Sequence, residues 1–165
     1  MPVNNVTRYL DAHKIKYTAF ETPAEKLGAE GTSAFLGVPL ENIYKTIVVK
    51  RERGKPILAV ISGTDELNLK ALATALEEKK FHLPTEREAE ALTGLQAGGI
   101  SPLALMNKGF QVVIDSSAQN HAEIHISGGQ RGLNIRIVPA DLAHLTSARF
   151  APIGRKTDLT TDTQG

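Results

Sequence analysis

Cysteine is absent from all 165 residues of the chain, which removes disulfides, thiolate nucleophiles, thiolate zinc sites and iron–sulfur clusters together. Any chemistry must rest on lysine, serine, threonine, histidine, carboxylates or the substrate itself. A surplus of one charge is also missing. Nineteen Lys and Arg face eighteen Asp and Glu for a net charge of +1, so any grip on nucleic acid must be local. No run approaches the ~18 consecutive apolar residues that suggest a membrane span. The opening Met1-Pro2-Val3-Asn4-Asn5 lacks the basic and apolar regions of a signal peptide, and with the missing cysteine this leads to the expectation of a cytosolic protein. Repeats, linkers and low-complexity segments are lacking as well. What is present, 41% hydrophobic and 22% charged residues, is the composition of a globular chain. Its length suits one domain able to bury about two-thirds of its unfolded surface.

Local signals predict the elements. Asn4 or Asn5 caps a first helix carrying Val6, Tyr9 and Leu10, and residues 16–21 alternate as a strand. A second helix after Pro23 carries Ala34, Phe35 and Leu36 and stops at Gly37. The apolar runs 43–50 and 57–62 read as paired strands joined by the charged hairpin loop Arg51 to Pro56. Leu69, Leu72, Ala73 and Leu76 predict a helix over 68–79, and Thr85 with Glu88 marks a capping box for a helix closed by Gly94. Period-two patterning then predicts three adjacent strands, carrying Val112 and Ile114, Ala122 to Ile126, and Leu133 to Ile137. A short helix from Pro139 and a strand over 149–153 complete the chain. The expected architecture is a single mixed α/β or α+β domain over 1–153, its mixed sheet curled toward a barrel and flanked by helices, with 154–165 a polar, frayed tail.

Three places stand out chemically. Lys45 interrupts the apolar run Ile43 to Val49, where an ammonium either snorkels to solvent or meets an anion in a site. Gln96-Ala97-Gly98-Gly99-Ile100-Ser101-Pro102 allows close backbone approach to a ligand, though taken alone a tight turn is the plainer account. Ser127-Gly128-Gly129-Gln130-Arg131-Gly132 lies between two strands, as a hairpin loop with bulge glycines or as the wall of a polar pocket. Ser127 shares strand parity with Glu123 and His125, so it points away from Ile124 and Ile126. His121 and His125 share a face without a third metal ligand and read as surface or network histidines. Neither glycine cluster matches a phosphate-binding or dinucleotide-binding motif, and Ser127 lacks the nucleophile elbow of serine hydrolases. The basic residues Lys50, Arg51, Arg53, Lys55, Lys79 and Lys80 either track a phosphate backbone or serve solubility.

Read together, the clusters carry a resemblance. Lys45-Thr46-Ile47-Val48, Leu67-Asn68-Leu69-Lys70 leading into Leu72-Ala73, Thr93-Gly94 with Gly98-Gly99-Ile100-Ser101-Pro102, and Ser127-Gly128-Gly129 with Arg131-Gly132 resemble the YbaK family in order and spacing. These are aminoacyl-tRNA deacylases related to the editing domain of bacterial prolyl-tRNA synthetases, and the likeness runs over residues 3–153. It implies an editing enzyme that hydrolyses the ester joining a wrong amino acid to its tRNA. The two glycine motifs resemble the branch that clears Cys-tRNA(Pro), with Cys-tRNA(Cys) a further substrate, more than the branch that clears Ala-tRNA(Pro). By resemblance, Lys45 is the key active-site residue, Gly99 offers a backbone N–H to the aminoacyl group or its oxyanion, and Ser127 bonds the aminoacyl end. Thr46, Gly98, Ile100, Gly128 and Gly129 shape the substrate site. Phe20 stands where some relatives carry Tyr, so it either lacks a pocket hydroxyl or belongs to the core.

The resemblance implies no metal or organic cofactor. It implies aminoacyl-tRNA and prolyl-tRNA synthetase as partners, and neither membrane nor DNA. No general base is evident, in keeping with attack by the substrate's own thiol or by a positioned water. Three other readings compete: the alanyl branch, a binding module that docks tRNA or synthetase without cleaving, and an enzyme using Lys45 as a Schiff-base nucleophile.

Overall fold

The computed structural model describes residues 4–157. Helix α1 (Asn5–Ala12) is held by Asn4, whose side chain accepts from the Thr7 N–H at 2.9 Å while Thr7 Oγ1 accepts from the Asn4 N–H. Strand β1 (Tyr17–Glu21) follows, then α2 (Gly28–Leu36), which Gly37 ends in the left-handed region. Strands β2 (Tyr44–Arg51), β3 (Ile57–Ser62) and β4 (Asp65–Leu67) lead to α3 (Leu69–Leu76), capped by Asn68. After the two-residue β5 (Phe81–His82), the Thr85–Glu88 capping box starts α4 (Glu86–Thr93). Then come β6 (Gln111–Asp115), β7 (Ile124–Ser127), β8 (Leu133–Ile137), α5 (Pro139–Thr146), β9 (Arg149–Ala151) and β10 (Gly154–Lys156). Among the described residues no helix is long and apolar enough to cross a membrane.

The strands form a mixed five-stranded sheet, β5-β2-β3-β6-β9, an antiparallel three-stranded sheet, β1-β8-β7, and the pair β10-β4. Every residue of the central strand β3 is buried. Leu58 and Val60 enter a core shared with the small sheet, α1 and α5, while Ile57, Ala59 and Ile61 enter a second core beneath α3. Burial on both faces explains why β3 reads as a continuous apolar run. The two larger sheets do not close into a barrel. One parallel bridge, Ile43 with His125, joins the β2 edge to β7 and curls the small sheet over the large one.

Three expectations need correction. The segment carrying Val112 and Ile114 is not a neighbour of the two strands that follow: β6 runs parallel to β3, whereas β7 and β8 pair with each other. Val112-Val113-Ile114 is a run buried on both faces, and the turn Ser116–Asn120 carries the chain to the other sheet. The helix predicted to reach residue 79 ends at Leu76, because Glu77 adopts φ 54°. Gly154–Lys156, assigned to the polar tail, forms β10 against β4, where Asp115 Oδ1 accepts from the Ile153 and Gly154 N–H groups. The fraying expected beyond residue 157 falls outside the described residues.

Candidate active site

A cavity of about 350 Å³ opens where the two sheets meet. Its floor is the edge of β2, unpaired between the Ile43 bridge to His125 and the Lys50–Arg51 pairing with β5. Because the cavity lies along an edge and not on one face, Lys45 and Thr46 both line it despite their opposite parity. The segment 22–29 with Thr32 of α2 forms one wall, and Ala97, Gly98 and Ile100 form another. The end of β7 and the start of β8 supply Ser127, Leu133 and Asn134. At the rim Lys26 pairs with Glu86 of α4, both side chains about half exposed. Lys45 is partly buried and makes no ion pair among the described residues, so its charge is free to meet an anionic or polarised ligand.

The two glycine loops cross and lock together. Gly99 is buried, and a Cβ there would stand 2.8 Å from Gln130 Cα and 3.1 Å from the Arg131 nitrogen. Glycine is required by that backbone crossing. The Gly99 N–H donates to Gln96 O at 2.8 Å, and Gly99 does not line the cavity. In this conformation its amide serves the turn. The flanking Gly98 and Ile100 do line the cavity, and their N–H groups make no hydrogen bond among the described residues. Gly98 sits at φ 91°, beneath the Arg131 side chain, whose Nε donates to Ala97 O at 2.7 Å. Ser127 Oγ accepts from the Gly129 N–H at 3.2 Å and donates over 3.4 Å to Gly98 O.

Gly128 and Gly129 lie behind the cavity wall. The Gly128 N–H closes the β7–β8 loop onto Leu133 O, and Gly129 packs against Val6 of α1 and Ala104. Phe20 also stands back: its ring centroid is 5.4 Å from that of His125, and Arg136 lies 5.3 Å over its face. Thus Lys45, Thr46, Gly98, Ile100 and Ser127 meet at the cavity, while Gly99, Gly128, Gly129 and Phe20 support it from behind.

Sequence reasoning passed over Asn134. It is buried, lines the cavity and accepts from His125 Nδ1 at 2.8 Å. The alternation of Leu133, Ile135 and Ile137 does set Asn134 on the non-core face, but only the cross-strand register puts it opposite Ser127. Burial lowers the pKa of His125 from its ordinary value, with Arg136 acting in the same direction and Asn134 and Glu123 against it. His121 is held elsewhere, by Asn42 and the Tyr44 ring. Among the basic residues of this region Lys50 pairs with Glu88, Arg51 with Glu78 and Lys80 with Glu52, Lys55 covers Phe110, and Arg53 and Lys79 make no ion pair among the described residues.

Two sheets meet at a cavity of small-molecule size that holds one unpaired lysine and two interlocked glycine loops. Comparison with known proteins narrows the class. Residues 24–145 match the aminoacyl-tRNA editing domain. EbsC of Enterococcus faecalis, whose name gives it as a candidate Cys-tRNA(Pro)/Cys-tRNA(Cys) deacylase, is 36% identical over 154 residues, covering 92% of this chain and 93% of EbsC. The proline–tRNA ligase of Trichlorobacter lovleyi is 29% identical over 73% of this chain, which spans only 22% of that enzyme. The fold is shared with the crystal structure of the hypothetical protein APE2540, at TM-score 0.84 and 24% identity, covering 92% of this chain and all of that one. It is shared too with a candidate trans-editing enzyme for prolyl-tRNA synthetase, at TM-score 0.76 and 23% identity, covering 93% and 99%. The chain belongs to the aminoacyl-tRNA editing domain family.

Proposed function

We propose that the protein deacylates mischarged aminoacyl-tRNA, with the cysteinyl ester of tRNA(Pro) as its substrate and Cys-tRNA(Cys) as a further one. The observation that carries this reading is the unpaired Lys45 on an open strand edge, facing Gly98 and Ser127 across a cavity suited to one small aminoacyl group and its ribose. A synthetase pocket for proline rejects cysteine by only about 1–3 kcal/mol, so a second site has to remove the error. Volume alone protects Pro-tRNA(Pro) poorly, because proline and cysteine differ little in size. Chemistry does better, since only cysteine carries a thiol.

In this reading the substrate's thiol, as thiolate, attacks its own ester carbonyl. A C–S bond forms, the C–O bond to the ribose breaks, and the proton lost from sulfur ends on the ribose hydroxyl. Cyclic thiolactone and free tRNA leave; hydrolysis by a positioned water is the competing route. Lys45 holds the ester oxygens or the terminal phosphate, the Gly98 and Ile100 amides are the donors nearest the developing oxyanion, and Ser127 bonds the aminoacyl end. Of the two carboxylates that line the cavity, Glu86 is paired with Lys26 and Glu25 is exposed to solvent, so neither is a buried base. With a net charge of +1, and with Lys50 and Arg51 at the hairpin already paired to Glu88 and Glu78, affinity for tRNA alone is modest, and prolyl-tRNA synthetase is the partner proposed to present it.

The test is deacylation of labelled Cys-tRNA(Pro), Ala-tRNA(Pro) and Cys-tRNA(Cys) in EDTA, with Lys45→Ala alongside. Cysteinyl release by the wild type and a loss of about 100-fold or more in the variant are expected. Preference for the alanyl ester moves the protein to the sister branch, and inactivity on all three, with synthetase added, removes the reading.

A further inference from the structure

We propose that His125 is a positioning residue that turns the Asn134 carboxamide so that its NH₂ group faces the cavity as a donor, an inference that rests on the deacylase reading of the site. Both residues are nearly closed to solvent, at 3% and 6% exposure. His125 Nδ1 lies 2.8 Å from Asn134 Oδ1. A carbonyl oxygen can only accept, so the proton of the neutral ring sits on Nδ1. In this pairing the ring is the Nδ1–H tautomer, the less usual one.

Phe20 packs on the ring at 5.4 Å between centroids, and the His125 backbone bridges to Ile43, two residues before Lys45 on the cavity edge. With Oδ1 engaged, the other end of the amide is committed. Asn134 Nδ2 makes no hydrogen bond among the described residues, and Asn134 lines the cavity opposite Ser127. Ser127 spends its own proton on Gly98 O, so Nδ2 is the uncommitted side-chain donor of that wall. A neutral donor beside the Lys45 ammonium suits a lone pair on the ligand: the ester carbonyl oxygen or the cysteinyl thiolate, not the α-ammonium. A flipped amide would present an oxygen and invert that preference.

The tautomer can be read directly from imidazole ¹⁵N shifts and long-range couplings in the intact protein. The wild type is expected to show Nδ1 protonated and His125 in Asn134→Ala to revert to Nε2–H. In kinetics on Cys-tRNA(Pro), His125→Leu should lower kcat/KM by about threefold to tenfold, and His125→Asn, with an amide nitrogen in the place of Nδ1, should recover part of that loss. If His125 acts through Asn134, adding His125→Leu to Asn134→Ala changes kcat/KM by less than about twofold. An Nε2–H wild type, or full additivity of the two substitutions, overturns the proposal. Should the wild type be inert on every ester, the deacylase reading fails, and the tautomer alone upholds or overturns the His125–Asn134 pairing.

Discussion

Gly98 and Gly99 are adjacent and both glycine, yet the fold asks different things of them. At Gly98 the demand is conformational, since φ is 91° and the nearest atoms to an added Cβ are flexible Arg131 side-chain atoms and Lys26 Cα at 3.4 Å. Alanine there costs about 1–2 kcal/mol of backbone strain. At Gly99 the demand is steric and the obstacle is main chain, with Gln130 Cα 2.8 Å from the added atom. Two loops must separate to admit it. Gly99→Ala is therefore expected to lower kcat/KM more than Gly98→Ala, because it displaces the Ser127–Arg131 loop from the cavity. Paired thermal melts and kinetics check this; equal losses, or a Gly98→Ala enzyme that is the weaker one, contradict it. Residue identity alone could not separate these roles. A glycine pair in a sequence announces close approach, and the partner of that approach, Gln130, lies far along the chain.

At the level of elements, legibility followed locality. The start of α1, the stop of α2 and both ends of α4 are legible because Asn4 or Asn5, Gly37, Thr85 with Glu88, and Gly94 act within a turn of the chain they cap. Strands β4, β5 and β10 escaped notice, being two or three residues long and defined only by distant partners. The same rule held in the site. Lys45 was visible as a charge in an apolar strand, whereas Asn134 became a site residue only through its register with Ser127. A distant hydrogen bond, from Arg131 Nε to Ala97 O, also ties the two loops together. Arg131→Ala should leave the sheets intact, because Arg131 belongs to no strand, and should raise KM severalfold by loosening Gly98 against Ser127. A change in melting temperature without a kinetic change would assign Arg131 to stability alone.

Across the whole molecule, the small sheet turns an apolar face to the core and a polar one away from it, on which His125 and Asn134 are buried and Arg136 and Thr18 are half-buried. Burying an imidazole there has a consequence for the pH dependence of folding. Desolvation is the main cause holding the His125 pKa below 6.5, Arg136 adds to it, and the Asn134 hydrogen bond and Glu123 oppose it. The unfolded chain thus takes up a proton on this ring at a higher pH than the folded one does. Above the unfolded value both states are neutral and the full stability is present; as pH falls from there through the lower folded value, stability is lost, by at most about 1.4 kcal/mol per pH unit. The other four histidines lie mostly at the surface and are common to wild type and variant. Denaturant titrations of wild type and His125→Asn at pH 7 and pH 5 isolate the ring. The stability advantage of the wild type should shrink on acidification, because only the wild type has this group to protonate in the unfolded state. An advantage that holds constant or grows would mean that the buried ring takes up its proton as readily as a free one, and that the polar face of the small sheet stabilises the imidazolium.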